Sequence, residues 1–300
     1  MRVLVTGASG YIGSAVVESL RTSGHEPVAL VHRQAVAGDV ESRQGDLLVA
    51  ESLATALDGI DAVCHLAALS SGRESFARPV EYFRVNVSGT LALLDAMAAA
   101  DVRQLAFAST AAIYGTPEKQ PMSEDLPDNP PHPYAASKAA AEAAIAWQAR
   151  TGALSASILR IFNAAGGDDP DPGRLLPRVL AVAAGEKPHL DINGDGTVVR
   201  DYVHVQDVAA AFVATLENSP ALGSACRYNI GSGIGTSVTD IVTVVERVTG
   251  RQLAVVHRDA APEPAALISD PSRAMDELGW KPRHSDLEDL VRDALAARSS

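Results

Sequence analysis

Apolar residues along the first half of the chain fall into two alternating patterns. Short runs rich in β-branched residues are separated by longer stretches in which apolar positions recur with helical spacing. The short runs predict strands at residues 3–5, 28–31, 62–66, 105–108 and 157–161. The longer stretches predict helices at residues 12–20, 80–100 and 135–150. This alternation favours an α/β fold, a doubly wound parallel sheet whose ligand crevice lies at the carboxyl ends of the strands.

The pattern changes at residues 166–173, where glycine, proline and aspartate predict a loop and a domain boundary. The carboxylates there lack the spacing of a calcium loop, so a solvated linker is the better interpretation. Beyond it we predict shorter elements, with helices at 205–216, 238–249 and 287–297. The chain is therefore predicted to have a first domain over residues 1–165 and a smaller C-terminal α/β domain over 166–300. A segment at about 200–217 is expected to pack back on the first domain.

Composition and charge exclude several classes of protein. The 300 residues are 47% hydrophobic and 21% charged, which is ordinary globular usage and excludes a disordered or fibrous chain. Lys and Arg number 25 against 37 Asp and Glu, and the resulting net charge of −12 disfavours nucleic acid and anionic membranes as partners. No signal-peptide pattern and no run of about 18 apolar residues is visible. Cys64 and Cys226 cannot form a disulfide framework and the histidines show no metal spacing, so we expect a cytoplasmic protein without a metal site.

A glycine pattern directly follows the first predicted strand. Gly7, Gly10 and Gly13 have the spacing G-x-x-G-x-x-G, and a helical pattern begins within it. Glycines at these positions let the backbone turn tightly and approach a pyrophosphate, whose charge the N-terminus of the following helix stabilises. Its place after the first strand of an alternating chain favours dinucleotide binding over an ordinary turn. The first domain is therefore predicted to be a Rossmann domain.

Tyr134 and Lys138 lie four residues apart in a helical pattern, so their side chains share one face of the helix. An ammonium group beside a phenol lowers the pKa of the phenol from about 10 toward the working pH. Tyr134 is therefore a candidate general base toward a substrate hydroxyl, and a general acid in the reverse direction.

These two patterns together resemble those of the extended short-chain dehydrogenase/reductases, the NAD-dependent epimerase/dehydratase family. Further segments are similar to its UDP-glucose 4-epimerase branch and follow the family order. They are residues 109–115, 159–166, 195–205, 228–233, 270–273 and 278–282. The resemblance spans nearly the whole chain and implies that Thr110 completes a catalytic triad with Tyr134 and Lys138.

The resemblance also implies a bound nicotinamide dinucleotide. The candidate cofactor residues include two basic residues at the end of the second strand. The full set is Gly7, Gly10, Tyr11, Ile12, Gly13, His32, Arg33, Asp46, Leu47, Leu66, Ala67, Ala68, Asn86, Tyr134 and Lys138. Val31 stands where NAD-binding members carry the acid that accepts from the ribose 2′-hydroxyl. His32 and Arg33 suit a 2′-phosphate instead, so the local residues favour NADP whereas the branch favours NAD, and both stay open.

Two departures from related branches bear on the reaction. Ala111 and Ala112 follow Thr110, where the sugar-nucleotide 4,6-dehydratases carry Asp-Glu for the elimination of water. Neither Cys64 nor Cys226 lies in the segment that supplies a cysteine to the 3,5-epimerising reductases. The resemblance therefore implies hydride transfer at C4 of a sugar.

Candidate substrate residues come from the same resemblance. Thr110 is placed at the sugar, and Asn163 and Arg200 match positions that bind the nucleotide diphosphate. An arginine fork suits phosphate, so Arg200 is the leading anchor, and an ion pair with Asp201 is the alternative. The implied ligand is a nucleotide sugar, most simply a UDP-sugar.

The later substrate pattern is less faithful to the branch. Glu263 fits the acid that accepts from ribose hydroxyls, but Ala260 occupies the position of the expected arginine. Arg258 is a candidate to reach in from two residues away. Arg174 replaces an expected asparagine and is a candidate to compensate. The resemblance further implies a homodimer built from the helices at 80–100 and 135–150.

The leading hypothesis is a nucleotide-sugar 4-epimerase that inverts C4 through a transient 4-keto sugar and reversible hydride transfer to bound nicotinamide. The alternative is an NADPH-dependent 4-ketoreductase, for which Val31, His32 and Arg33 are the motivating residues. A third hypothesis, a dinucleotide sensor without catalysis, is disfavoured because Thr110, Tyr134 and Lys138 are all present.

Overall fold

The structure is a computed structural model that describes residues 1–32, 36, 38–260 and 263–298. Arg33, a candidate cofactor residue, lies outside the described residues. The strands are β1 (Arg2–Thr6), β2 (Glu26–Val31), β3 (Glu41–Gln44), β4 (Ala62–His65), β5 (Gln104–Thr110), β6 (Ser155–Ile161), β7 (Asn163–Ala165), β8 (Leu190–Asn193), β9 (Val199–His204), β10 (Ala225–Ile230), β11 (Gly235–Ser237), β12 (Val255–Arg258) and β13 (Ala266–Leu267). The helices are α1 (Tyr11–Thr22), α2 (Ala50–Ala56), α3 (Gly72–Ser75), α4 (Pro79–Phe83), α5 (Gly89–Ala99), α6 (Pro133–Gln148), α7 (Leu175–Ala183), α8 (Val205–Glu217), α9 (Val238–Thr249), α10 (Ser272–Leu278) and α11 (Leu287–Arg298).

Seven strands form the central sheet in the spatial order β10-β6-β5-β4-β1-β2-β3, and every neighbouring pair is parallel. This is the doubly wound α/β sheet that the alternating apolar runs predict, so the predicted fold class is confirmed. Two of its strands have no counterpart among the predicted elements. Strand β3 reads Glu-Ser-Arg-Gln and is mostly exposed, so it has no apolar run. Strand β10 comes from the later part of the chain and extends the edge beyond β6.

Alternate residues of the central strands enter two different apolar cores. Val3 and Val5 of β1 pack in the core beneath α1 and α8, whereas Leu4 between them packs with residues of α2, α5 and α6. All seven residues of β6 are buried, because both faces of this strand are covered. The sheet is therefore a middle layer between two layers of helices, as expected for parallel strands.

Helix α6 carries the candidate catalytic side chains near its beginning. It begins at Pro133, whose fixed φ suits the first turn of a helix, and the imidazole of His132 caps it by accepting from the amide of Ala135 at 3.1 Å. An alanine-rich sequence of strong helix formers continues to Gln148. Tyr134 therefore lies in the first turn and Lys138 in the second.

The later part of the chain builds a smaller mixed sheet around β9. Strand β9 pairs with β7 and β13 in parallel and with β11 in antiparallel orientation, while β8 and β12 form a separate parallel pair. Helices α7, α9 and α11 surround a third apolar core that contains Leu180, Ile241 and Val291. Helix α8 instead packs on α1 of the first layer.

Across the described part of the chain, none of the helices combines the length and the apolar character that crossing a membrane requires.

Candidate functional site

A cavity of about 740 Å³ opens at the carboxyl ends of β1, β4, β5 and β6, where a doubly wound sheet binds its ligands. The residues around it come from the glycine turn, from the loop after β4, from the end of β5, from α6 and from the segments on both sides of the predicted linker. They include Gly7, Gly10, Tyr11, Ile12, Gly13, Leu66, Ala67, Ala68, Thr110, Tyr134, Lys138, Asn163, Asp169, Arg174 and Tyr202. Candidate cofactor, catalytic and substrate residues thus meet in one cavity.

The glycine turn at the start of α1 has room for a ligand because Gly7, Gly10 and Gly13 carry no side chains. Gly7 has a φ of +70°, and a Cβ there would lie 2.7 Å from the amide nitrogen of Ala67. A Cβ on Gly13 would lie 2.0 Å from the carbonyl oxygen of Gly7, so only glycine allows the turn and the helix to pack this closely. Gly10 caps α1 without a side-chain hydrogen bond, and the first turn contains no acid. These residues fit the pyrophosphate of a dinucleotide, because the first turn of α1, where the positive end of the helix dipole lies, lines the cavity.

A histidine that follows β2 and an acid that follows β3 lie close together. His32 Nε2 lies 3.4 Å from Asp46 Oδ2, and Asp46 Oδ1 accepts from the amide of Leu48 at 2.9 Å. The side chain of Leu47 packs in the apolar core beneath the sheet. His32, which was expected to join Arg33 at a 2′-phosphate, therefore lies against the carboxylate of Asp46.

Thr110 and Tyr134 form the part of the site in which a proton can move. The hydroxyl of Thr110 accepts from the amide of Ala112 at 3.2 Å, so its own proton is free to be donated toward the phenol oxygen of Tyr134. Burial raises the pKa of Tyr134, while the hydrogen bond from Thr110 and then the charge of Arg174 lower it. In the structure, burial is the largest influence on the pKa of Tyr134, and Arg174 is the cation that lowers it.

Lys138 is itself in an unusual environment. Its side chain is 3% exposed, and Nζ lies 4.0 Å from the centroid of the Phe107 ring. Burial lowers the pKa of Lys138 to about 7, and the nearby charge of Glu142 raises it only in part. The amine is therefore able to exchange its proton near neutral pH.

A buried ionic cluster that the sequence analysis did not identify lies beneath the site. Glu142, one turn after Lys138, accepts from Arg160 Nε at 3.0 Å and from Arg160 Nη2 at 2.7 Å. It also accepts from the hydroxyl of Ser109 and from Arg227 Nε at 3.0 Å. Glu142 and Arg160 are both 0–1% exposed. The cluster connects α6 to β5, β6 and β10, and the only sequence signal for it was a charged pair within otherwise apolar elements.

The substrate candidates divide into those at the cavity and those away from it. Asn163 lines the cavity and donates to the carbonyl oxygen of Asp201 at 2.9 Å. Arg174 lines it as well, with its guanidinium 5.3 Å from the ring centroid of Tyr11 and 3.3 Å from the carboxylate of Asp169. The side chain of Asp169 is 7% exposed, so the acid-rich segment predicted as a solvated linker contributes a nearly buried carboxylate to the cavity.

Arg200 and Glu263 are paired with each other. Arg200 Nη2 lies 2.6 Å from Glu263 Oε2, and Nη1 donates to the carbonyl oxygens of Val199 and Pro264. Asp201, the alternative partner of Arg200, is fully buried and accepts from the amides and hydroxyls of the 232–233 turn and of Ser269.

Arg258 does not join these residues. It lies at the end of β12, with Nε 2.7 Å from Asp191 Oδ1 on the neighbouring strand β8, because the parallel pairing of the two strands brings these exposed side chains together.

Asn86 lies outside the cavity lining and acts on the backbone. Its side-chain amide donates to the carbonyl oxygen of Leu69 and to the hydroxyl of Ser137, each at 2.9 Å, and its carbonyl oxygen accepts from the amide of Leu69 at 2.8 Å. The residue sits in the π-helical turn Arg84–Ser88, which widens the backbone before α5.

Among the residues that the structure describes, no group of three or more His, Cys, Asp or Glu side chains is arranged to hold a metal ion.

Comparison with known proteins agrees with this geometry. The model of the NAD dependent epimerase/dehydratase family matches residues 3–231. The UDP-glucose 4-epimerase of Corynebacterium glutamicum is 40% identical over 320 residues, which cover 100% of this chain and 96% of that protein. The crystal structure of the UDP-glucose 4-epimerase of Stenotrophomonas maltophila with NAD and formylated UDP-arabinopyranose superposes with a TM-score of 0.94 at 34% identity, covering 100% of this chain and 98% of that chain. The enzyme of Brucella ovis in complex with NAD gives 0.91 at 35% identity, covering 99% and 98% of the two chains.

Proposed function

The chain belongs to the NAD dependent epimerase/dehydratase family, and we propose that it is a nucleotide-sugar 4-epimerase that acts on a UDP-sugar with bound NAD. The observation that carries the proposal is that Thr110, Tyr134 and Lys138 line the same cavity as the glycine turn of α1. Curated relatives at 34–40% identity are UDP-glucose 4-epimerases, so the ketoreductase alternative is not favoured.

We infer that the dinucleotide is NAD. The structural relatives from Stenotrophomonas maltophila and Brucella ovis contain NAD. The position of Asp46, two residues after β3 and 3.4 Å from His32, supports the same choice, because a carboxylate beside His32 repels a 2′-phosphate. We propose that the glycine turn, Tyr11, Ile12 and residues 66–68 hold the dinucleotide.

We assign a separate role in the inversion of C4 to each catalytic side chain of the cavity. When bound, the nicotinamide supplies the chemistry of accepting a hydride from C4 and returning it to the opposite face of the sugar. Tyr134 Oη takes the proton of the C4 hydroxyl and later gives it back, and Thr110 stabilises the phenolate by hydrogen bonding. Lys138 supplies positive charge to this corner of the cavity in its protonated form.

On the substrate side, we propose that Asn163 and Arg174 contact the nucleotide sugar. Arg200 and Glu263 form a preassembled pair whose guanidinium and carboxylate suit a diphosphate and a ribose respectively. Arg258 is left out of this set, because it pairs with Asp191 on the exposed β8–β12 pair, whereas Arg200 lies on β9 two residues before Tyr202, which lines the cavity.

We extend the proposal to the domain organisation and the oligomeric state of the protein. Residues 1–165 form the dinucleotide-binding domain, and residues 166–300 mainly form the substrate-binding domain. We further propose a homodimer through α5 and α6, because Leu91 is 45% exposed and Trp147 is 67% exposed on these two helices. Sedimentation equilibrium of the purified protein distinguishes a dimer from a monomer.

The decisive experiment denatures the purified protein, identifies any released nucleotide by mass, and assays UDP-glucose against UDP-galactose without added cofactor. We expect released NAD and interconversion of the two sugars. Exchangeable NADP together with loss of NADPH absorbance on a keto sugar would establish the reductase instead. Tyr134→Phe should lower kcat by about a hundredfold or more, since it removes the proton-transferring oxygen. Tyr82→Phe is the matched control, because this buried ring packs edge-on to Tyr134 at 6.4 Å without lining the cavity.

A further inference from the structure

A buried chain of hydrogen bonds runs behind the cavity, from β1 to α5, and passes through a histidine that the mechanism above does not use. Thr6 Oγ1 lies 2.7 Å from His65 Nδ1, and His65 Nε2 lies 3.1 Å from Thr90 Oγ1. The three side chains are 0–1% exposed. Thr90 Oγ1 then donates to the carbonyl oxygen of Asn86 at 2.7 Å.

The direction of every proton in this chain follows from counting donors and acceptors. Thr6 Oγ1 accepts from the amides of Leu66 and Ala67, each at 3.1 Å, so its hydroxyl proton is the one directed at His65. Nδ1 of His65 is therefore an acceptor, and the neutral ring carries its proton on Nε2. Thr90 uses its own proton on Asn86, which leaves its oxygen to accept from Nε2. The two threonines thus specify a single tautomer.

Protonation of this imidazole is opposed by its surroundings. A second ring proton, on Nδ1, would point at the hydroxyl proton of Thr6, because Nδ1 lies only 2.7 Å from Thr6 Oγ1. Burial, and then the positive charge of Lys138 from α6, lower the pKa of His65 to about 3. The ring of Phe107 from β5 lies 5.5 Å away and offers no counter-charge. The histidine is therefore a fixed neutral connector.

The two ends of the chain lie at different parts of the site. At one end, Thr6 anchors the backbone of Leu66 and Ala67, which lines the cavity beside the glycine turn. At the other end, Asn86 binds the hydroxyl of Ser137, and Ser137 donates to the carbonyl oxygen of Tyr134 at 2.7 Å. The chain thus links the turn beneath the dinucleotide to the first turn of the catalytic helix.

We propose that His65 is a positioning residue which, as its Nε2–H tautomer bridging Thr6 and Thr90, sets the separation between the turn Leu66–Ala67 and helix α6. This inference rests on the proposed function, because it concerns the alignment of the dinucleotide with Tyr134. Its physical basis is that each buried hydroxyl and ring nitrogen is satisfied in one arrangement only, so displacement of either end leaves a buried polar group without a partner.

The first test is spectroscopic. Protein labelled with ¹⁵N-histidine is studied by NMR at neutral pH, and His65 is assigned from the signals that disappear in His65→Leu. We expect a bound proton at Nε2 and none at Nδ1. A proton at Nδ1, or a protonated ring, would overturn the proposal. This readout requires neither cofactor nor sugar, so it fails or succeeds separately from the proposed function.

The second test compares two variants of Thr90 in the whole protein. Thr90→Val removes the hydroxyl at nearly constant shape, whereas Thr90→Ser keeps it. We expect Thr90→Val to weaken the binding of added NAD and to lower kcat about 10–100-fold with little change in KM, since misalignment of about 1 Å has effects of this size. We expect Thr90→Ser to stay within about threefold of the wild type. Equal losses in both variants, or none in Thr90→Val, would contradict the proposal.

Discussion

Lys138 Nζ lies 4.0 Å from the centroid of the Phe107 ring, so the amine of the catalytic helix faces an aromatic surface in the interior. The ring offers a favourable but modest interaction to the protonated amine. Burial nevertheless lowers the pKa of Lys138 to about 7. Burial of this amine therefore reduces the stability of the folded protein, because it disfavours the protonated form.

The first prediction concerns Lys138→Met. The pKa of Lys138 is below its ordinary value of 10.5 in the folded protein, so the unfolded chain binds more protons between pH 7 and 10.5. The free energy of unfolding should therefore rise with pH across this window, with a slope of at most about 1.4 kcal/mol per pH unit from this residue. Lys138→Met should remove that slope and should raise the stability at pH 7 by about 1–3 kcal/mol while lowering kcat.

Denaturant unfolding of cofactor-free wild type and Lys138→Met at several pH values measures this difference. Subtraction of the two curves cancels the titration of other groups. A variant with the same pH slope as the wild type would show that Lys138 keeps an ordinary pKa in solution.

The second prediction concerns Gly13→Ala. A Cβ at this position would lie 2.0 Å from the carbonyl oxygen of Gly7, so the glycine turn must move away from α1. We expect a loss of about 1–3 kcal/mol in the free energy of unfolding and loss of NAD from the purified protein. Gly24→Ala is the control, since its φ of +78° costs about 1–2 kcal/mol although nothing lies within 4 Å of the added carbon. Retention of NAD in both variants would argue against the turn as the dinucleotide site.

The third prediction concerns the buried ion pair of Glu142 with Arg160. Glu142→Gln removes the buried carboxylate that pairs with Arg160 and leaves Asp128, whose Oδ1 lies 2.8 Å from Arg160 Nη2, as the remaining charged partner. The free energy of unfolding should therefore fall by about 3 kcal/mol, the lower end of the range for a broken buried pair. Arg227→Gln removes a partner of the same carboxylate, but the side chain of Arg227 is 40% exposed. Its loss should cost less than about 1 kcal/mol. Similar denaturation midpoints for the two variants would show that the buried pair is not the stabilising element.

The fourth prediction separates the substrate candidates. Arg200→Ala should raise the KM for the UDP-sugar about tenfold or more, because a hydrogen-bonded guanidinium is lost from the proposed diphosphate site. Arg258→Ala should leave KM unchanged, since Arg258 is engaged with Asp191 on the exposed face of the β8–β12 pair. Steady-state kinetics of the two variants decides between them. A larger effect for Arg258 would restore the assignment made from sequence alone.

Sequence reasoning succeeded where one local pattern decides the outcome. Apolar runs predicted β1, β2, β4, β5 and β6, and the helical spacing of Tyr134 and Lys138 predicted a shared face that the structure directs into the cavity. The sequence did not reveal contacts between side chains that come from distant segments of the chain. The pairing of Arg258 with Asp191 depends on the register of two short exposed strands, which no local apolar pattern encodes.

The electrostatics of the site were harder still to predict. The opposing effects of burial and of the charge of Arg174 on Tyr134 depend on how the segment after β7 folds over the cavity. Likewise, Glu142 was visible only as a charge in an alanine-rich helix, and its partners come from three different strands.

The place of β10 at the edge of the central sheet has a consequence for the synthesis of the protein. Its six residues pair with β6 from Ala225 opposite Ala156 to Ile230 opposite Ile161. While a nascent chain ends before residue 225, strand β6, whose seven residues are all buried in the folded protein, presents an open row of backbone groups, a template for pairing with another chain. The ribosome must therefore release about 70 further residues after β6 before this edge is protected, and the nascent chain is exposed to aggregation during that interval.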